Sequence, residues 1–394
     1  MSDFLSFSFP YGPDFLSREW PLLIEACALP RDLGRISALA GEISDPESLI
    51  RLAEDHGVLA HLSGSLAGLP DARVSSALRD SLRARHRVQL LFSLTMTAEL
   101  FRALNLLRQS EIDALVVKGP VLSVRAYGDP AVRRYVDLDL LVRHADILRA
   151  SKVLVAVGYK SRVSEEAIRA GKIPGEYQFR HLGNKVVLEL HTERTFRHFP
   201  RPLPIENYLR SKNSLLLDGR PVPVLSPEEE FVFISIHGAK DFWQRLIWIS
   251  DVAAIVHNHP ELDWKGVRMR AAEVGAERMV RLALLLAERL LRAPLPKEMK
   301  DEVRRDAACL HLAREVETWL PYAGYATPSA AKRANFRFRV HGRAFAGAAY
   351  LLRLSLSTSE QDWSSEDGNL LSRLGGFFRR PVRLMKKYGR NADS

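Results

Sequence analysis

LVVKGPVLSVRAYGDPAVRRYVDLDLLV, residues 115–142, is the stretch on which the reading of the fold turns. Ala114-Leu-Val-Val117 is a short apolar run of the kind a buried strand carries, and it stops at Lys118-Gly119. Pro120 suits the first turn of a helix, where its missing N–H is not needed, and VLSVRAY then ends at Gly128, a residue suited to closing a helix. Residues 136–142, VDLDLLV, alternate with period two, the period of a strand. Val136, Leu138, Leu140 and Val142 share one face and Asp137 and Asp139 the other. The stretch therefore predicts a strand, a two-residue turn, a short helix and a second strand.

Working outward, a helix is expected from about Asp146 to Val157, stopped by Gly158. Tyr177–Leu182 and Lys185–Thr192 flank Gly183-Asn184, which predicts a hairpin with a two-residue turn. In the second arm Val187, Glu189 and His191 lie opposite Val186, Leu188 and Leu190. Ser226-Pro-Glu-Glu229 carries the pattern of a capping box and opens a helical section. Helices are expected there at Arg245–His257 and Ala276–Arg292. Upstream, from about residue 18 to 110, the spacing is also helical. Val88, Leu91, Leu94, Leu100, Phe101, Leu104 and Leu107 mark one long amphipathic segment there. The organisation that follows is a helical region at 1–95, an α+β core at 96–215, a helical domain at 216–310 and a basic helical region at 311–394. The last contains two basic stretches, Lys332–Arg343 and Arg373–Arg390.

The 394 residues are 46% hydrophobic and 26% charged, which excludes a disordered or fibrous chain. Lysine and arginine exceed the acidic residues by 57 to 47, a net charge of +10 that favours polyanionic partners: nucleotides, nucleic acid or an acidic membrane surface. Two cysteines, Cys27 and Cys309, are too few for a disulfide scaffold and point to the reducing cytoplasm. No uncharged apolar run approaches the roughly 20 residues that span a bilayer, so no membrane crossing is expected.

Asp137 and Asp139 carry the chemistry. Two carboxylates two residues apart on a strand point the same way and repel unless a positive charge lies between them. A divalent cation with oxygen ligands removes that repulsion, and Mg²⁺ in particular combines one or two carboxylates with substrate phosphates. Glu189, on a second alternating strand, supplies a third carboxylate. Three such groups suit a two-metal site for in-line attack on phosphorus. Lys118-Gly119 precedes the aspartate strand at a helix start, where backbone amides and an ammonium favour phosphate. Arg133, four residues before Asp137, adds a charge for phosphate oxygens.

In this order the motifs resemble the uncharacterised nucleotidyltransferase family of the DNA polymerase β-type superfamily. The resemblance rests on Lys118-Gly119, Tyr127 to Arg133 (Tyr-x-Asp-Pro-x-x-Arg), Asp137-Leu-Asp139, Leu154 to Tyr159 (LxxxGY) and Glu189-Leu-His191. The run His237 to Ala253, HGAKDFWQRLIWISDVA, and the tail Arg380-Pro-Val-Arg-Leu with Lys387-Tyr-Gly389 extend it over most of residues 45–390. The superfamily's usual Gly-Ser turn is Lys-Gly here and its usual third aspartate is Glu189, with Ser123 the nearest hydroxyl to replace the missing serine.

The resemblance implies a polymerase β-like core and transfer of a nucleoside monophosphate from an NTP, ATP foremost, to a hydroxyl or phosphate acceptor with release of pyrophosphate. Asp137, Asp139 and Glu189 would bind Mg²⁺ or Mn²⁺, with Glu189 also a base. Lys118, Gly119, Ser123, Arg133, His191, His237, Arg245 and Asp251 would face the nucleotide. Two other readings are a catalytically silent nucleotide-binding regulator and an RNA end-modifying enzyme, the latter supported by charge but by no nucleic-acid motif. Trp243, Trp248 and Trp264 read as core rather than stacking platforms. Phe377, Phe378, Leu384 and Met385 alternate with basic residues in the tail.

Overall fold

A computed structural model describes residues 15–70, 73–170, 175–193, 202–211, 213–323 and 328–356. The alternating runs become a five-stranded mixed sheet of β1 (Ala114–Val117), β2 (Asp137–Val142), β3 (Tyr159–Ser161), β4 (Glu176–His181) and β5 (Val187–His191), in the order β1-β2-β5-β4-β3. Only β2 and β5 run parallel; the other pairs are antiparallel. Leu138, Leu140, Leu188, Leu190, Tyr177 and Phe179 pack beneath the sheet in one apolar core, as the period-two pattern requires. A smaller hairpin, β6 (Ser214–Leu217) and β7 (Arg220–Pro223), continues the sheet past β1 through a bridge between Val116 and Val224. Its turn is Asp218-Gly219, both at positive φ, a signal that the sequence reading above leaves unused.

Helices α1 (Phe15–Cys27), α2 (Leu33–Ala40), α3 (Pro46–Asp55), α4 (Leu59–Ala67) and α5 (Ser76–Gln109) precede the sheet. Within it come α6 (Gly119–Tyr127), α7 (Ile147–Ala156), α8 (Glu165–Arg169) and α9 (Ile205–Ser211). After it follow α10 (Pro227–Lys240), α11 (Leu246–Asn258), α12 (Trp264–Val274), α13 (Glu277–Leu291), α14 (Lys297–Arg305), α15 (Ala307–Trp319), α16 (Ala330–Val340) and α17 (Ala344–Leu356). The Ser226/Glu229 capping box forms as read. A second core joins the first helices to the last: Leu22, Leu49, Leu62, Ile249, Leu282, Leu312 and Phe336 belong to one cluster, which also reaches Val117 and Leu122 beside the sheet. Trp243 and Trp264 are buried in it, as expected.

Three local expectations change. The β4–β5 turn is longer than Gly183-Asn184: Lys185 N–H donates to His181 O, and the positive φ falls on Lys185. Asn184 is drawn away instead, its amide donating to buried Glu99. Val136 lies before β2 and is 54% exposed. On α5, Leu78 and Leu82 enter the helical core and Met96, Leu100, Ala103 and Leu107 the sheet core. Between these anchors Val88, Leu91 and Leu94 are 67%, 60% and 60% exposed, because the side of α5 that meets protein there carries Gln89, Ser93 and Thr97. Among the described residues, α5 is the one helix long and apolar enough to cross a membrane by length and composition, with 39% of its most apolar window buried. The tail motifs after residue 356 lie outside the described residues.

Candidate active site

β2 and β5 bring the acidic residues together. Their parallel register sets Asp139 beside Glu189 and Leu141 beside His191, so Asp137, Asp139, Glu189 and His191 share the sheet face opposite the core. Asp139 is buried, with His191 Nε2 at 2.6 Å and Lys118 Nζ at 3.0 Å from its Oδ1. Glu189 Oε1 accepts from Gln178 Nε2 at 2.9 Å, and Oε2 stands 3.7 Å from His191 Nε2. Burial alone would raise the Asp139 carboxyl, but Lys118 and His191 overcome it and hold the group well below its usual range. Asp137 has no such partner. Burial first, and then the charge of Asp139, push it up to about 6.

Lys118 owes its position to the strand–helix turn. It caps α6 at φ 59°, ψ −147°, a region of backbone space that side chains rarely enter, and Gly119 follows at φ 51°. The ammonium is thereby turned back over β2 into contact with Asp139. Such strain is held only where the surrounding structure imposes it. The helical half covers the same face. Lys240, in the last turn of α10, pairs with Glu176 on β4 at 2.9 Å; burial would lower the lysine, but Glu176 holds it above its ordinary value. His237, one turn earlier on α10, is held well below its ordinary value, first by burial and then by the nearby charges of Lys118 and Lys240. Its ring meets Trp248 edge-on at 5.0 Å. Trp243 fixes this end of α10: a Cβ on Gly238 would lie 2.5 Å from its ring.

Four expected nucleotide contacts have protein partners or surroundings of their own. Arg133 and Asp251 are both buried and joined at 2.8 Å, with Tyr127 OH donating to the other Asp251 oxygen at 2.9 Å. This triad ties the loop before β2 to α11, and the Arg133 charge is still felt by Asp139 and His237. Ser123 is fully buried; its hydroxyl donates to Asp129 O at 2.6 Å and accepts from Arg133 N–H at 3.1 Å, so it staples the same loop. Arg245 is exposed at the start of α11, beside His56. The sequence reading misses Glu176, Gln178 and Lys240. Gln178 was signalled by its alternation with Glu176 and Arg180, and Lys240 by its place three residues after His237.

The donor set fits a divalent cation. Among the described residues, the group spaced to grip one is Asp139, Glu189 and His191, whose ligand atoms lie within 4.8 Å of one another. His191 thus enters where Asp137 was expected, and Asp137 stands outside that group.

A small mixed sheet clasped by helices, with a strand–Lys-Gly–helix turn beside it, has the form of a polymerase β-like nucleotidyltransferase core. The profile of a family described as uncharacterised nucleotidyltransferase matches residues 43–292, and the chain belongs to that family. No curated protein matches it significantly. Membership makes an NTP the expected nucleotide substrate.

Proposed function

We propose that the protein is a cation-dependent nucleotidyltransferase that moves an NMP from an NTP, ATP foremost, to an acceptor and releases pyrophosphate. The observation that carries this reading is the in-register Asp139/Glu189 pair on parallel neighbours, with Lys118 at 3.0 Å from Asp139. Asp139, Glu189 and His191 would hold the cation, Mg²⁺ or Mn²⁺, with Asp137 beside them. When bound, it supplies positive charge that neutralises phosphate oxygens.

The chain's own groups supply the rest. Lys118, the counter-charge of Asp139, would offer its ammonium to the triphosphate. Lys240 offers a second ammonium from the opposite side of the cleft. An acceptor oxygen attacks the α-phosphorus, the bond to the β-phosphate bridging oxygen breaks, and pyrophosphate leaves. Glu189, oriented by Gln178, takes the acceptor's proton.

The test is incubation with each NTP, Mg²⁺ or Mn²⁺ and a panel of acceptors, reading pyrophosphate release and NMP addition by mass spectrometry. Release by the native chain and its loss in Asp139→Asn support the reading. Tight NTP binding without release for every acceptor favours a silent regulator instead.

A further inference from the structure

The site face of the sheet does not end at Glu189. Register carries it outward in two rows, Asp139–Glu189–Gln178 and Asp137–Val187–Arg180–Lys160. Each row begins acidic on β2; the second ends on two basic side chains. There the surface opens into a cavity of about 430 Å³ whose lining carries Lys160, Arg162, Arg180 and Lys185, together with Gln178 and His181, and no carboxylate. Gln178 is the shared wall: it lines this cavity and donates to Glu189 Oε1.

Many other basic side chains of this protein have acidic partners. Arg143, for instance, meets Asp113 and Glu206, and Arg289 meets Glu317. Among the described residues, no carboxylate lies within 4 Å of the Lys160 or Arg180 charge. The charges of Lys160, Arg180 and Lys185 around one cavity repel, and a bound anion relieves that repulsion. The volume is that of a small-molecule site. Its lining offers no Phe, Tyr or Trp on which a nucleic-acid base would stack, which disfavours a single strand as occupant.

We infer that this cavity is the acceptor site, and that the acceptor is a small phosphate monoester carrying a free hydroxyl. This rests on the proposed transferase activity and names its second substrate. The phosphate sits among Lys160, Arg180 and Lys185, and the hydroxyl reaches past Gln178 to Glu189. Neighbouring strands lie about 4.8 Å apart and alternate residues about 7 Å along, so the Arg180 Cα stands roughly 8 Å from the Glu189 Cα, with both residues on the same face of the sheet, close enough for one small molecule to span them. The hydroxyl oxygen bonds to the α-phosphorus as its proton passes to Glu189. Pyrophosphate leaves, and the product is a phosphodiester.

Lysine acetylation of the full chain, read residue by residue by mass spectrometry, tests the site without needing the natural acceptor. Inorganic phosphate, against chloride at matched ionic strength, is expected to slow labelling of Lys160 and Lys185 at least threefold, and Arg180→Glu to remove that protection. Unchanged labelling at both lysines overturns the site. Stronger protection by an unphosphorylated twelve-nucleotide single-stranded RNA overturns the small-molecule assignment. MgATP binding by calorimetry, measured in parallel, reports on the transferase reading alone. Failure there with phosphate protection intact leaves a phosphate site without its proposed reaction.

Discussion

Asp139 is the most heavily engaged carboxylate of the site, with an ammonium and an imidazole on one oxygen. Asp139→Asn keeps the shape and removes the charge, so cation binding and turnover should both disappear while the circular dichroism spectrum is kept. Glu189 divides binding from chemistry. Glu189→Gln should retain NTP affinity by calorimetry yet slow transfer by on the order of 10²–10⁴; transfer at the native rate would make Glu189 a bystander. Lys118→Ala should weaken NTP binding about tenfold, the scale of one charge-assisted hydrogen bond, and NMP binding by much less. Equal losses would place Lys118 away from the outer phosphates. At this scale the sequence was informative, because alternation along a single strand sets which side chains share a face. It could not say that His191 would lie within reach of both Asp139 and Glu189, since that depends on the offset between two strands about fifty residues apart.

The elements around the site are fastened by buried polar contacts. Helix α6, which carries Lys118 at its start, is tied to α10 through Arg125 and Glu230 and to α11 through Tyr127 and Asp251. Asp251→Ala would leave Arg133 charged and unpaired in the interior. It should cost about 3–5 kcal/mol in urea unfolding, the range found when a buried pair loses one partner. A loss under about 1 kcal/mol would mean that water reaches Arg133. Tyr127, Arg133 and Asp251 each show in the sequence as polar residues in motif positions, but 118 residues separate the ion pair, and no local pattern encodes such a contact. The β4–β5 turn was misjudged for a similar reason. Gly-Asn favours a tight hairpin locally, and the bond from Asn184 to Glu99 on α5 outweighs that preference.

Across the whole molecule, the N-terminal helices close onto the C-terminal ones. Glu25 on α1, nearly fully buried, pairs with Arg292 at 2.7 Å and with Arg35 at 3.0 Å. His56, at the end of α3, accepts from the Leu246 N–H that starts α11. Burial, and then the charge of Arg245, pull His56 down to about 3; burial, and then Arg31, do the same for His61. In the unfolded chain both titrate near 6.5. Their folded pKa is the lower one, so this stability is present above pH 6.5 and is lost as pH falls towards about 3, at roughly 1.4 kcal/mol per pH unit for each histidine. His56→Gln should make the fall in unfolding free energy between pH 6 and 4 shallower by about that amount, measured by urea titration at each pH. An unchanged slope would show that His56 protonates freely in the folded state.

The Glu25–Arg292 pair also sets a timetable. Its two residues are 267 positions apart, and the core they seal needs both ends of the chain. At about 5–20 residues per second, a ribosome takes roughly 13–53 s to make that interval. The sheet's five strands are complete by residue 191, so the sheet has its strands in hand first. Until the later helices emerge, α1 to α4 have one another and α5 to pack against, so the seal made by Arg292 is among the last contacts that the N-terminal helices gain.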